Sequence, residues 1–226
     1  MSNGAAIAAR VRDTLERLAR AADRARRDPA AICLIGAAKS MPGDAVRAAV
    51  EGGLNDVGEN YVQEAAAVKA AIDLPARWHM IGRLQRNKTA RAAALFDVIH
   101  TVDRREIGAA ISQHTAARGV VMPVLVEVNI AGEASKSGAD PAALPELLAA
   151  LRDEPGIRVD GLMAIPPASE PEAARRHFRR LRELRDEHQL RELSMGMSGD
   201  FEVAVEEGAT MVRVGRAIFG DRPMDR

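Results

Sequence analysis

Cysteine is all but missing from this sequence: Cys33 is the only one among 226 residues. No disulfide can form within the chain and no cysteine-based metal site is expected, which fits a reducing cytoplasm. Long apolar runs are missing too, although 47% of the residues are hydrophobic, so a core can be buried but no membrane span is expected. An excess of either charge is lacking, with 32 basic and 32 acidic side chains, which argues against nucleic acid or an anionic membrane as the main partner. The N-terminus has no apolar signal core, and Asp13, Glu16 and Asp23 interrupt the positive charge an organelle presequence needs. Neither GxGxxG, GxxxxGK[ST] nor GxSxG occurs. The five histidines show no metal spacing and read as structural or surface residues by default, with His79 the one singled out as able to approach a ligand from its strand.

Lysine is the scarcest common charge. Of the 32 basic residues only Lys39, Lys69, Lys88 and Lys136 are lysines. Where arginine serves as the generic cation, a retained lysine points to a need for an amine that can lose its proton and attack a carbonyl. Lys69 lies in an Ala-rich helical stretch; the other three fall in short polar segments.

What is present is a rhythm. An amphipathic helix over 5–27 precedes eight short apolar strands, at 31–38, 54–58, 78–82, 97–102, 120–130, 157–165, 192–196 and 210–214. Helical stretches separate them, near 43–52, 60–72, 88–95, 103–118, 140–153, 170–189 and 200–207, with a short turn after 215. Strict βα alternation implies a parallel sheet, and eight units close into a barrel; an open doubly wound sheet needs the Gly-rich loop that is missing. The expected organisation is an N-terminal helix over 1–28 packed on a single (β/α)8 barrel over 29–226. The basic run from Arg175 to Arg185 is threaded with Glu172, Glu183, Asp186 and Glu187, so it reads as a solvated helix face.

Barrels carry their chemistry on the loops after the C-terminal ends of the strands, and the specific polar residues of this chain collect there. They are Lys39 after strand one, Glu59 and Asn60 after strand two, and Gln85, Asn87 and Lys88 after strand three. Asn129 and Lys136 follow strand five, Met163 and Pro166 end strand six, Ser194, Gly196 and Ser198 follow strand seven, and Arg213, Gly215 and Arg216 end strand eight. Lys39 leaves the apolar run CLIGAA, where desolvation favours the neutral amine that forms an imine. The segments LSMGMSGD and VRVGRA each open onto a helix after strands seven and eight, where barrels hold phosphate: Ser198 offers a hydroxyl, and Gly199 and Gly215 let N–H groups approach. An imine-forming lysine facing a phosphate cradle fits two ligand classes, pyridoxal 5'-phosphate or the sugar phosphate of a Schiff-base aldolase.

The segments GENYVQE (58–64), WHMIGRLQRNK (78–88), VNIAGEASKSG (128–138), GLMAIP (161–166) and LSMGMSGDFEVAVEEGATMVRVGRAIFG (193–220) resemble the pyridoxal phosphate homeostasis proteins, whose barrel is similar to the N-terminal domain of alanine racemase. That resemblance implies pyridoxal 5'-phosphate as cofactor, Lys39 as the Schiff-base lysine, and Ser198, Gly215 and residue 216 as phosphate contacts. It implies Arg213 beside the cofactor, at phosphate or ring nitrogen, and Asn60 near the ring hydroxyl. Two positions depart from the family pattern. Arg216 replaces a small hydroxyl residue, so only its backbone N–H carries over, and Gly199 stands where Asp or Ala is usual, leaving Asp200 as the first acid of the helix.

The resemblance further implies a carrier without established turnover that acts in vitamin B6 homeostasis, with pyridoxal phosphate-requiring apo-enzymes as recipients. A cytoplasmic monomer is expected, and Lys88 and Lys136 are candidates for a secondary cofactor site. The alternative is an amino-acid racemase, which sets a tyrosine opposite the lysine and closes its site with a second domain. No second domain is expected here, and the only tyrosine, Tyr61, is expected to lie away from the phosphate loops.

Overall fold

A computed structural model describes residues 3–133, 136–167 and 170–220. Ala134 and Ser135 of the third motif, and the ends of the two expected segments at 1–2 and 221–226, lie outside the described residues. Eight parallel strands form a closed barrel in sequence order: β1 (Cys33–Ala37), β2 (Asp56–Glu59), β3 (Arg77–Met80), β4 (Val98–Val102), β5 (Met122–Glu127), β6 (Ile157–Met163), β7 (Glu192–Ser194) and β8 (Met211–Val214). Pairing of Cys33 with Met211 and of Ile35 with Arg213 closes the ring. This is the expected barrel. β5 is shorter than its apolar run, because Val120 and Val121 remain outside the ladder, 41% and 50% exposed.

Helices follow each strand: α2 (Gly43–Glu51), α3 (Val62–Ile72), α4 (Thr89–Leu95), α5 (Arg105–Ala116), α6 (Leu144–Arg152), α7 (Pro171–Glu187), α8 (Phe201–Glu206) and α9 (Arg216–Phe219). The last two are short and leave the wall around β8 and β1 thinly covered. The N-terminal helix α1 (Asn3–Arg24) supplies the cover, packing on α2, α8 and α9 through Ile7, Val11 and Leu18. Polar ties fix it: Arg10 Nε donates to the Ile218 carbonyl at 2.6 Å, and Arg17 meets Glu202 at 3.1 Å. It ends three residues before the periodic pattern does, since Arg26 adopts a left-handed φ of 55°. The basic face of α7 is also more than solvated: Arg175, Arg179 and Arg182 converge on Glu207, which pins α7 to the end of α8.

Alternation along the strands sorts side chains into two layers. Leu34, Val57, Trp78, Met80, Ile99, Val124, Val126, Leu162, Leu193 and Val212 point outward and merge with the helices into one apolar core. Their neighbours point into the lumen, where Ile35, Leu125, Met163 and Met211 form a small separate cluster. Polar side chains fill the rest of the lumen: His79, His100, Ser194, Glu127 and Arg213 are all buried there.

Candidate cofactor-binding site

A cleft of about 360 Å³ opens at the C-terminal mouth, over β1, β2 and β8. Lys39, Asn60, Ser198, Arg213, Gly215 and Arg216 all line it, with Gly199 and Asp200. Four chain segments that are far apart in sequence therefore meet at one cavity.

Lys39 lies two residues beyond β1, in a turn whose next residue, Ser40, has a φ of 60°. The Ser40 N–H donates to Glu64 of α3 at 3.1 Å, which fastens that turn to the following βα unit. The amine is half-buried, and Nζ stands 5.4 Å from the Tyr61 ring centroid. Tyr61 is thus a neighbour of the lysine. Tyr61 is not among the residues lining the cleft with the phosphate loops; it comes beside Lys39 because β2 pairs directly with β1. Asn60 is held in the wall by the close pass of Gly82, where a Cβ would come 2.4 Å from the Asn60 carbonyl oxygen.

Opposite Lys39, the turn after β8 presents its backbone. The Gly215 and Ala217 N–H groups both donate to Ser198 Oγ, at 3.2 and 3.3 Å. A Cβ on residue 215 would meet the Ala37 carbonyl oxygen at 3.2 Å, narrowing the cradle against β1. Gly196, with a φ of 92° and Ala204 at 2.5 Å from any Cβ, gives the bend that brings Ser198 there. Asp200 turns its carboxylate back on the loop and accepts from the Met197 N–H at 2.6 Å. The Arg216 side chain is exposed at the rim.

Arg213 forms the buried wall of the cleft. Its Nη1 donates to Ser194 Oγ at 2.6 Å and its Nη2 to the Ala164 carbonyl at 3.0 Å. Burial pushes its pKa down to about 10, with Glu127 opposing the shift. Burial raises the Glu127 carboxyl, while a hydrogen bond from Ser137 Oγ at 2.7 Å works the other way. At pH 7 Arg213 is therefore a desolvated cation beside the cavity.

Several mouth candidates do other work. Glu59 turns outward, under α3, and both of its oxygens are buried without a hydrogen-bond partner. Burial, then the charge of Glu64, pushes its pKa up to about 7. The Asn129 side chain braces its own loop through both the N–H and the carbonyl of Glu133. Gln85 and Asn87 are exposed in the turn before α4, where Lys88 is half-buried, and Lys136 pairs with Glu133 at 3.1 Å. Lys69 donates to the Leu95 carbonyl at 2.9 Å and lies over Trp78. His79 does not reach the cleft: it points into the lumen one layer below, bonded to Asp56 and His100. At the barrel floor Cys33, Asp56 and His79 bring possible ligand atoms within 4.8 Å of one another, a grouping that sequence spacing did not signal. Burial and the neighbouring Asp56 raise the Cys33 thiol far above the usual range, so it stays protonated. The apolar lining of Ile81, Ile165, Met197 and Phe219 was missed because only polar strand ends were sought; strand parity was the available signal.

The donor set suits a phosphorylated aldehyde: a hydroxyl and two backbone N–H groups at one end, an amine at the other, and a buried cation between. Fold and site together define a barrel of the alanine racemase N-terminal class, and the family described as alanine racemase, N-terminal domain, matches residues 9–223. A protein of Pseudomonas aeruginosa named pyridoxal phosphate homeostasis protein is 46% identical over 97% of this chain and 94% of its own length. One of the same name from Aquifex aeolicus is 44% identical over 94% and 97%. This chain belongs to the pyridoxal phosphate homeostasis protein family. Among solved structures, PipY of Synechococcus elongatus with pyridoxal phosphate bound superposes with a TM-score of 0.79 at 37% identity, over 91% of this chain and 99% of that one. Alanine racemase from Corynebacterium glutamicum, at 20% identity and a TM-score of 0.74, shares the fold over 96% of this chain and 62% of its own.

Proposed function

We propose that this chain binds pyridoxal 5'-phosphate in the cleft at the barrel mouth and acts in intracellular vitamin B6 homeostasis. The observation that carries the reading is the facing of the Lys39 amine and the Ser198–Gly215–Ala217 cradle across one cavity, with Arg213 buried in its wall. When bound, the cofactor supplies an aldehyde that an amine can capture and a phosphate that anchors it. Lys39 holds the aldehyde carbon covalently. Ser198 and the Gly215 and Arg216 backbone hold the phosphate, Asn60 lies by the ring hydroxyl, and Arg213 offers its cation to the ligand. The names of the curated relatives and the ligand of PipY support the same reading.

The protein acts as a cytoplasmic, monomeric carrier that passes its cofactor to apo-enzymes and does not turn over amino acids. The N-terminal segment 1–28 and the barrel segment 29–226 work as one unit. Among the described residues no helix is long and apolar enough to cross a membrane.

The deciding experiment is the visible spectrum of the purified protein before and after borohydride, for the native chain and Lys39→Ala. The native protein is expected to be coloured, to bleach with borohydride and to gain the mass of reduced cofactor on Lys39. Colour that persists unchanged in Lys39→Ala removes the reading. Incubation in deuterated water with L-alanine or L-serine tests turnover: inversion at about 1 per second or faster, lost in Lys39→Ala, makes the protein a racemase instead.

A further inference from the structure

A chain of short polar contacts runs through the lumen from the cofactor mouth to the floor. Arg213 Nη1 is 2.6 Å from Ser194 Oγ, which is 2.9 Å from His100 Nδ1 across the barrel. His100 Nε2 is 2.9 Å from His79 Nδ1, and His79 Nε2 is 2.8 Å from Asp56 Oδ1. Asp56 lines a second cavity, of about 380 Å³, at the opposite end of the barrel from Arg213.

We infer that these groups form a one-way hydrogen-bond relay, with every donor pointing from Arg213 toward Asp56, and that Asp56 is thereby a positioning residue for Arg213. Counting protons settles the direction. A guanidinium only donates, so Ser194 Oγ accepts from Arg213. Among the described residues the hydroxyl has one other partner, His100 Nδ1, so its single proton goes there. His100 therefore has a bare Nδ1 and carries its proton on Nε2. It is neutral, because burial, with the Arg213 charge adding to it, drives its pKa well down. Its Nε2–H donates to His79 Nδ1, which leaves the His79 proton on Nε2, directed at a carboxylate that only accepts. Burial works to raise the Asp56 pKa, but the hydrogen bond from His79, with that from Cys33 and the charge of Arg77, holds it below its ordinary value, so the terminus is an anion.

The opposite direction fails at Ser194, where a protonated His100 Nδ1 leaves a buried hydroxyl proton with nowhere to go. With a neutral His79 it also sets a bare ring nitrogen against the Asp56 carboxylate. In the assigned direction each link polarises the next, so an anion at the floor steadies a buried cation at the mouth that has no carboxylate among its own hydrogen bonds. Two guanidinium nitrogens are committed, which fixes the plane Arg213 presents to the cleft.

The consequence for the cofactor rests on the function proposed above; the relay itself does not. Histidine-labelled protein, read ligand-free by long-range proton–nitrogen NMR, tests the relay separately from cofactor binding. Both His79 and His100 are expected as neutral rings protonated on Nε2. Either ring found protonated on Nδ1, or as an imidazolium at pH 7, overturns the relay whatever the variants do. Asp56→Ala is expected to displace the signals of both histidines and of the Arg213 guanidinium, and Asp56→Asn, which keeps an acceptor oxygen, to restore the tautomers. Unmoved His100 signals in Asp56→Ala, or no restoration in Asp56→Asn, count against it. In the loaded protein, Asp56→Ala is expected to weaken pyridoxal phosphate binding about two- to thirtyfold, the range for substitutions along coupled networks. Unchanged affinity with shifted tautomers removes the positioning role.

Discussion

The lumen of this barrel and the layer around it are built by opposite rules. Outside, large apolar side chains such as Trp78, Phe178 and Phe201 are fully buried, and of the acids placed among them Glu207 is held by three arginines whereas Glu59 has no hydrogen-bond partner. Inside, the apolar cluster is small, and His79, His100, Ser194 and Arg213 are each paired. The outer layer supplies stability through area; the lumen gives some of that up so that a cation is fixed at the mouth. A buried polar group is tolerable when its partners are built in, and the contrast between Arg213 and Glu59 measures what happens when they are not.

The largest effect expected from this contrast is in the outer layer. Phe178→Ala removes a ring buried to 0% exposure and is expected to cost about 3–5 kcal/mol in denaturant unfolding. The affinity of the surviving folded fraction for pyridoxal phosphate is expected to change little; a loss as large as that of a mouth variant erases the distinction between layers.

Glu59 is expected to make stability depend on pH. Its folded pKa, about 7, lies above the 4.5 of an ordinary glutamate, so the native state holds a proton that the unfolded chain gives up first. That contribution is full below pH 4.5 and disappears as pH rises through 7, a difference of about 3–4 kcal/mol. Glu59→Gln, measured by unfolding from pH 5 to 8, is expected to flatten the slope. A slope equal to that of the native protein means that Glu59 has found a partner.

At the mouth, Ser198→Ala takes one hydroxyl from the cradle and is expected to weaken pyridoxal phosphate by about 1.5–3 kcal/mol, roughly ten- to hundredfold in Kd. Pyridoxal without phosphate is expected to bind the native protein weakly and to be insensitive to the substitution. Equal sensitivity of both ligands moves the phosphate elsewhere. The smallest stability effect belongs to Lys39→Ala, within about 0.5 kcal/mol of native because the side chain is half-buried in a turn. A shift of several kcal/mol in unfolding shows that Lys39 also braces the β1–α2 turn.

Much of this was legible in the chain. Eight apolar segments in βα alternation imply a parallel sheet of the count that closes into a barrel, and the missing Gly-rich loop sets aside the open doubly wound alternative. The scarcity of lysine isolated Lys39, and glycines beside Ser198 and Arg213 marked the backbone approach at the mouth. The sequence alone could not say which side of a strand faces the lumen at each end, because a step of one residue reverses every side chain. That step turned Glu59 away from the mouth, whereas His79 faces the lumen but sits one layer too deep along β3 to reach it. Nor could it show that Tyr61 stands beside Lys39, which follows from the parallel pairing of β1 with β2 and the turns after them. The path from Arg213 to Asp56 was hidden most completely: its five residues span positions 56 to 213 and lie on five strands. Sequence periodicity reports which layer a residue enters, through hydrophobicity. Pairing across a lumen depends on strand stagger and distance, which exist only once the barrel has closed.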